Sequence, residues 1–254
     1  MNGEEKTTLA LFLDLAGDYL KDGYKRDRQY TPGFFPDDAV PSSLPLAYQV
    51  DEDEHDEYTN EPFDSPELKT NDIDTAIRNC RACALATVKK NAVPGEGALH
   101  PLVMVIGEGP GADEDSSGRP FVGKAGQLLD KMLASIELSR ETNCFIANMV
   151  KCRPPGNRDP DPSEITACFP FLKQQIALLR PRIILCAGRV AAQNLLSKNQ
   201  GINSLRGEFF SYENIPVLCT FHPSAILRDE SLKRPAWEDL KLLRAKLNSS
   251  ENDA

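Results

Sequence analysis

The chain has only three histidines among its 254 residues, and it contains no run of eighteen apolar residues. A bilayer-spanning helix needs about 20 such residues, so no membrane segment is expected. The opening, MNGEEKTTLALFLDLAGDYLKDG, starts on acids and carries charges of both signs. It lacks the basic start and small-residue cleavage site of a secretory leader, so a cytoplasmic protein is expected. There is no internal repeat and no GxGxxG after a strand. The nearest run, GEGPGA at 107–112, lacks the third glycine and has proline where the helix should begin, which argues against a dinucleotide fold. Net positive charge is missing too, at −9 overall, but the deficit is uneven. Residues 1–79 hold 7 basic and 19 acidic side chains, whereas residues 80–254 hold 22 basic and 19 acidic. The C-terminal part, at +3, is compatible with a polyanionic partner but does not identify one.

What is present divides in the same way. The length suits one core plus an appendage. Residues 5–21 carry an apolar stripe (Leu9, Phe12, Leu13, Ala16, Leu20) that predicts a short helix. Residues 30–70 are rich in proline and acid, including DEDEHDE at 51–57, and predict a disordered linker. That acidic run reads first as a solvated spacer, with a DNA mimic or partner-binding tail as the sharper alternative. Residues 1–75 are therefore expected to be an extension and 76–248 the globular domain.

From residue 101 strands and helices alternate. Strands are predicted near 102–106, 143–150, 182–187 and 215–220. Helices are predicted near 124–136, 163–179, 189–198 and 236–247. This order implies right-handed βαβ units and an α/β fold, a three-layer α/β/α sandwich around a mostly parallel sheet. Between the first strand and helix lies a long turn with five glycines, two prolines and four carboxylates. A connection of this length at the carboxyl end of a strand is where such sheets bind ligands.

Seven cysteines are present. Cys144, Cys186 and Cys219 sit in apolar strand surroundings and read as ordinary buried thiols. Cys80 and Cys83 form C-x2-C, and Cys152 and Cys168 form C-x15-C. Disulfides do not suit a cytoplasmic chain. Four thiolates suit a structural zinc or an iron–sulfur cluster, and spacing alone does not separate the two. Of the histidines, His55 and His100 occupy ordinary positions, whereas His222 ends an apolar run, VLCTF. Asn148 lies within a predicted buried strand, where an amide is costly unless paired. By itself it reads as a satisfied structural residue.

Three segments together carry a family likeness: GEGPGADEDSSGRPFVGKAGQLL (107–129), NMVKCRPPGNRDP (148–160) and HPSAILR (222–228). In this order, with the cysteine spacing, they resemble the motifs of the family 4 uracil-DNA glycosylases over about residues 80–247. The resemblance implies an enzyme that extrudes uracil from DNA and hydrolyses its N-glycosidic bond. It implies a 4Fe–4S cluster on Cys80, Cys83, Cys152 and Cys168. His222 would donate to uracil O2, Asn148 would read O4 and N3–H, and Phe121 would stack on the ring. Glu108, Gly109 and Pro110 would wall the pocket, and Glu114 would crowd C5 against a thymine methyl. Glu108, Glu114 and main-chain carbonyls are candidates for orienting water, since Gly109 stands where the family 1 enzymes have an aspartate. HPSAILR would be a loop entering the minor groove, with Ile226 or Leu227 as wedge and Ser224 and Arg228 on phosphate. Arg153, Arg158 and Lys124 are further phosphate candidates. The expected partner is uracil-containing DNA, bound by a monomer. The alternative is a non-catalytic or covalent uracil-DNA-binding module; the covalent branch carries an inserted basic loop with a histidine, which KCRPPGNRDP lacks.

Overall fold

The computed structural model of the protein describes residues 66–251. The helix expected over 5–21 and the acidic run at 51–57 lie outside them. Six strands form one sheet: β1 (Glu96–Gly97), β2 (Val103–Gly107), β3 (Cys144–Asn148), β4 (Ile183–Ala187), β5 (Phe209–Tyr212) and β6 (Ile215–Thr220), in the order β1-β3-β2-β4-β6-β5. The four inner strands are parallel, and β1 and β5 run antiparallel on the edges. Strands β2, β3 and β4 are buried along their whole length. That is why they read as unbroken apolar runs rather than as alternation.

The two edge strands are additions to the predicted set. β1 has two residues and no pattern of its own; it exists because it pairs with β3. β5 joins β6 through Glu213 and Asn214, both at positive φ (47° and 66°), the backbone of a tight two-residue hairpin turn.

Helices cover both faces. On one, α4 (Lys124–Ala134) and α9 (Lys233–Glu251) bury Leu129, Met132, Leu133, Trp237, Leu240 and Leu243 against Val103, Val105 and Ile146. On the other, α5 (Pro162–Leu179) and α6 (Arg189–Leu196) pack Leu172, Ile176, Ala191 and Leu195 on Met104, Ile106 and Cys186. The three-layer sandwich is thus present. α5 starts where Asp161 and Glu164 form a reciprocal cap around Pro162 at the first helical position.

Two expectations change. The linker predicted to residue 70 stops earlier, because α1 runs Pro66–Asn79 and packs Ile73 and Ile77 with Val150, Cys152 and Cys168. A boundary at 75 therefore falls inside this helix. And HPSAILR is not a loop: Pro223–Arg228 forms a short helix, α8, with Pro223 in its first turn. Three further short helices are α2 (Leu85–Val88), α3 (Ala112–Ser117), which lies within the long turn after β2, and α7 (Ile202–Leu205).

Register brings the carboxyl ends of the strands level, with Gly107 beside Asn148 and Ala187 beside Thr220. The chain leaves β2 toward β3 on one side, while β4 lies on the other. Ligands bind in open α/β sheets at such a reversal.

Candidate active site

A cleft of about 760 Å3 opens there. Its walls come from the segment after β2 (Glu108–Glu114), Phe121, Asn148, the Pro154–Asp159 loop, Gly188–Arg189, and His222 with α8. Of the residues singled out from sequence, Glu108, Gly109, Pro110, Glu114, Phe121, Asn148, His222, Ser224, Leu227 and Arg228 all line it.

Asn148 ends β3 with its side chain buried, and its Oδ1 has no hydrogen-bond partner. A buried acceptor left unpaired costs on the order of 1–3 kcal/mol, so the site stores an unmet demand for a donor. The neighbouring strand makes room for this carbonyl. A Cβ on Gly107 would stand 2.4 Å from Asn148 Oδ1 and 2.5 Å from Phe121 Cζ. Phe121 holds a left-handed backbone (φ 51°), rare for a bulky residue, and its ring centroid is 5.6 Å from that of His222.

His222 caps α8. Its Nδ1 accepts the Ser224 N–H at 3.1 Å and lies 2.8 Å from Ser224 Oγ. An Nδ1 that accepts a backbone N–H leaves the single proton of a neutral ring on Nε2. Burial, and then the Arg228 charge, hold the imidazole pKa down at about 4. His222 is therefore a neutral Nε2–H donor at physiological pH. Gly188, at φ 99°, lets the β4–α6 turn pack against it: a Cβ there would be 2.8 Å from His222 Cβ.

The two glutamates behave differently. Burial, and next the Asp159 carboxylate, push Glu108 up to about 7 against the pull of Arg189 and Arg228. It is poised to exchange a proton near neutrality. Glu114 is committed elsewhere. Its Oε1 accepts Val122 N–H (2.9 Å) and Gly123 N–H (2.8 Å), and its Oε2 accepts Gly111 N–H (3.0 Å). With three backbone donors on one carboxylate, Glu114 is a clamp on the loop and not the base it was a candidate to be. It still walls the cleft.

Four more expectations meet the geometry. Ile226 is fully buried in the core with Leu218, Phe221 and Trp237, so it is not a wedge; Leu227, half-buried at the rim, is the residue free for that place. Arg158 forks onto Glu164 (2.9 and 2.7 Å), which neutralises it locally. Arg153 bonds Asn157 Oδ1 and is not part of the cleft wall. Lys124 and exposed Arg228 do line it.

Sequence reasoning missed Asp159 and Arg189, which pair across the cleft wall, Arg189 also reaching Gln193 Oε1 at 3.1 Å. Arg189 had a readable signal: it follows the glycine just past the end of β4. Asp159 had none.

The four spaced cysteines come together away from the cleft. Cys80, Cys83, Cys152 and Cys168 line one small cavity with Ile77, Ala82, Ala86 and Phe171. Ala82 N–H points at Cys80 Sγ (3.4 Å) and Lys151 N–H at Cys168 Sγ (3.2 Å). Burial pushes Cys152 up to about 11 and raises Cys168 as well. Among the described residues no three His, Cys, Asp or Glu side chains are drawn into ligating distance of one point. Cys144, Cys186 and Cys219 are buried in the sheet, as expected. No helix among the described residues is long and apolar enough to cross a membrane.

One cleft at the sheet reversal thus joins a buried amide carbonyl without a partner, an aromatic ring and a neutral imidazole donor. Residues 94–241 match the model of the Uracil DNA glycosylase superfamily. The chain is 43% identical over 182 residues to the type-4 uracil-DNA glycosylase of Saccharolobus solfataricus, spanning 68% of this chain and 84% of that protein. It is 41% identical over 174 residues to the type-4 enzyme of Pyrobaculum aerophilum (65% and 88%) and 41% over 180 residues to that of Sulfurisphaera tokodaii (68% and 82%). The chain belongs to the uracil-DNA glycosylase superfamily, in its type-4 family.

Proposed function

We propose that this protein removes uracil from DNA by hydrolysing the bond between uracil N1 and the deoxyribose C1′, the opening step of base-excision repair. The observation that carries the reading is the buried, partnerless Oδ1 of Asn148 set in one cleft with a neutral His222 whose proton sits on Nε2. Uracil has N3–H for the Asn148 carbonyl and O4 for its amide; cytosine offers the reverse pattern. His222 Nε2–H donates to O2, where negative charge grows as N1 leaves. A preorganised donor of this kind stabilises the departing anion in a dry site. The glycosidic electron pair goes to the uracil ring, C1′ becomes oxocarbenium-like, and water adds to C1′ and loses a proton. In this reading Glu108, which lines the cleft and is raised to about 7, orients that water and accepts its proton. The Glu114 side chain, held by three backbone N–H groups, walls the position where thymine carries a methyl.

On the DNA side, Leu227 fills the gap left by the extruded nucleotide, as apolar wedges do, while Arg228, Ser224 and Lys124 meet phosphate. The cysteine cavity fits a thiolate-bound group by its donor set: four sulfurs, walls that are apolar apart from Lys151, and backbone N–H groups aimed at two of the sulfurs. We assign a 4Fe–4S cluster to Cys80, Cys83, Cys152 and Cys168. Such a cluster supplies cross-linking there, fixing the Cys152–Cys168 loop whose Pro154–Asp159 segment walls the cleft. The protein acts as a cytoplasmic monomer in this reading.

Incubation with a uracil-containing oligonucleotide, followed by alkaline cleavage of abasic sites, tests it. Strand scission at uracil with turnover is expected. Tight binding without scission, or a protein–DNA adduct stable to denaturation, would favour the non-catalytic or covalent module instead.

A further inference from the structure

Arg140 lies in the connection between α4 and β3, outside the cleft wall and outside every motif that pointed to function, yet its guanidinium is buried among acceptors. Nη1 donates to Pro120 O at 2.9 Å and Nη2 to Phe121 O at 2.8 Å. Nε and Nη2 fork onto Asp130 (3.0 and 2.7 Å), and Nη1 reaches Glu96 at 2.5 Å. Glu96 in turn accepts from Arg119 at 2.8 and 3.0 Å. One residue thus joins edge strand β1, helix α4 and the Arg119–Phe121 turn.

These contacts converge on a strained residue of the cleft. Phe121 keeps a left-handed backbone, which persists only where the surroundings over-determine it. Its carbonyl is held by Arg140. The next two N–H groups, of Val122 and Gly123, are held by Glu114. Gly126 closes the remaining side, since a Cβ there would be 1.8 Å from Phe121 O. Burial alone would raise Glu96, but its bonds to Arg119 and Arg140 outweigh it and hold the carboxyl below its ordinary range. Glu96 is therefore ionised beside the two guanidinium groups.

We infer that Arg140 is a positioning residue for base recognition: with Asp130 and Glu96 it fixes the backbone of Phe121 and so sets the ring against which the base stacks. The inference rests on the stacking role given to Phe121 above. Lysine has the charge but not the planar fork, and cannot serve two carbonyls and a carboxylate together.

The test compares Arg140→Met, Arg140→Lys and Phe121→Ala with Ile176→Ala, which opens a cavity in the core on the opposite face of the sheet. The readouts are inhibition by free uracil, affinity for abasic-site DNA, and melting temperature. Base–aromatic stacking is worth about 1–3 kcal/mol, so Phe121→Ala should weaken uracil inhibition about 5- to 150-fold. Arg140→Met should approach that loss with little change in abasic-DNA affinity, and Arg140→Lys should recover only part. Ile176→Ala should lower the melting temperature and leave uracil inhibition alone. If Arg140→Met does not fold, Glu96→Gln is read in its place, with a smaller loss of the same kind. Wild-type uracil inhibition in folded Arg140→Met, or in Glu96→Gln where that stands in, would overturn the inference. A wild-type protein that neither excises nor binds uracil would instead overturn the functional reading.

Discussion

The cleft and the cysteine cavity sit at the two ends of one short segment. β3 delivers Asn148 to the cleft, and the chain reaches the other cavity at Cys152. They hold their polar groups in opposite states. In the cleft a buried carbonyl lacks a partner and the imidazole is kept neutral, so the wall can bind an uncharged ring that brings its own donors and acceptors. In the cysteine cavity four sulfur donors line one small space, and under the cluster assignment proposed above they are committed to a bound group. In that reading the first is organised for reversible recognition and the second for permanent occupation. Chemistry should therefore fail when the first is altered, and architecture when the second is.

The sharpest separation comes from His222→Ala. The single-turnover excision rate should fall by on the order of 10²–10³, the usual effect of losing one donor to a developing anion, while DNA affinity stays nearly constant. Equal losses in rate and affinity would put His222 in ground-state binding and blur the contrast. Next is Glu108→Gln, expected to cost about 10², the low end for a general base because uracil departs before water attacks. The wild-type rate should climb as pH rises through about 7, where Glu108 loses its proton, and the variant should lose that limb. His222 should contribute no limb above about pH 5, since it is already neutral there. A pH-independent wild-type rate would remove Glu108 from the mechanism.

On the other side of the comparison, Cys152→Ser should abolish iron binding and lower the melting temperature. Cys144→Ser, in the sheet, should keep the iron. Iron content and a thermal melt decide it; full iron in the Cys152→Ser protein would reassign the site.

A smaller effect concerns stability. His222 is held near 4 in the fold and lies near 6.5 when unfolded, so its contribution is present above 6.5 and is lost as pH falls toward 4. Glu108 is raised from 4.5 to about 7, so its contribution is present below 4.5 and lost as pH rises to 7. The slopes oppose each other across the shared range, and the pair should leave little net dependence between pH 5 and 6.5. Urea melts of Glu108→Gln should expose the acid loss due to His222; equal slopes in both proteins would contradict the assigned shifts.

The smallest effect is expected from removing residues 1–65. Excision should persist, with slightly tighter DNA binding at low salt, because residues 1–65 carry 16 acids against 5 bases. The advantage should fade as salt rises. A start at Asp72 is a different experiment, because it cuts α1 ahead of Ile73 and Ile77, which pack beside Cys152 and Cys168. If removal of 1–65 alone ends excision, the extension belongs to the active unit.

Much of this was readable in the residues. The four inner strands and their helices announced themselves by apolar runs and helical spacing, because burial on both faces leaves no other composition open. The positions of Asn148, Phe121 and His222 followed from motif likeness. The edge strands were hidden because their pairing depends on β3 and β6 rather than on their own residues. Ile226 and Leu227 are adjacent apolar residues, and only the turn of α8 decides which faces the core. Glu114 looked chemically free because its partners are backbone N–H groups, which no side-chain pattern reports. Arg140 and Asp159 act through residues distant in sequence, and a lone charge carries no sign of its partner.

One atom of His222 has a consequence for anyone redesigning the pocket. The Nδ1 that fixes the donor tautomer is also the acceptor that caps α8, the helix bearing Leu227 and Arg228. Position 222 is therefore constrained twice over, once by the base and once by a helix end. A replacement chosen only for its donor, such as lysine or glutamine, would reshape the pocket and fray the DNA-facing helix together. Of the residues favoured as helix caps, asparagine alone also carries an N–H donor, so it defines almost the whole engineering space at this position.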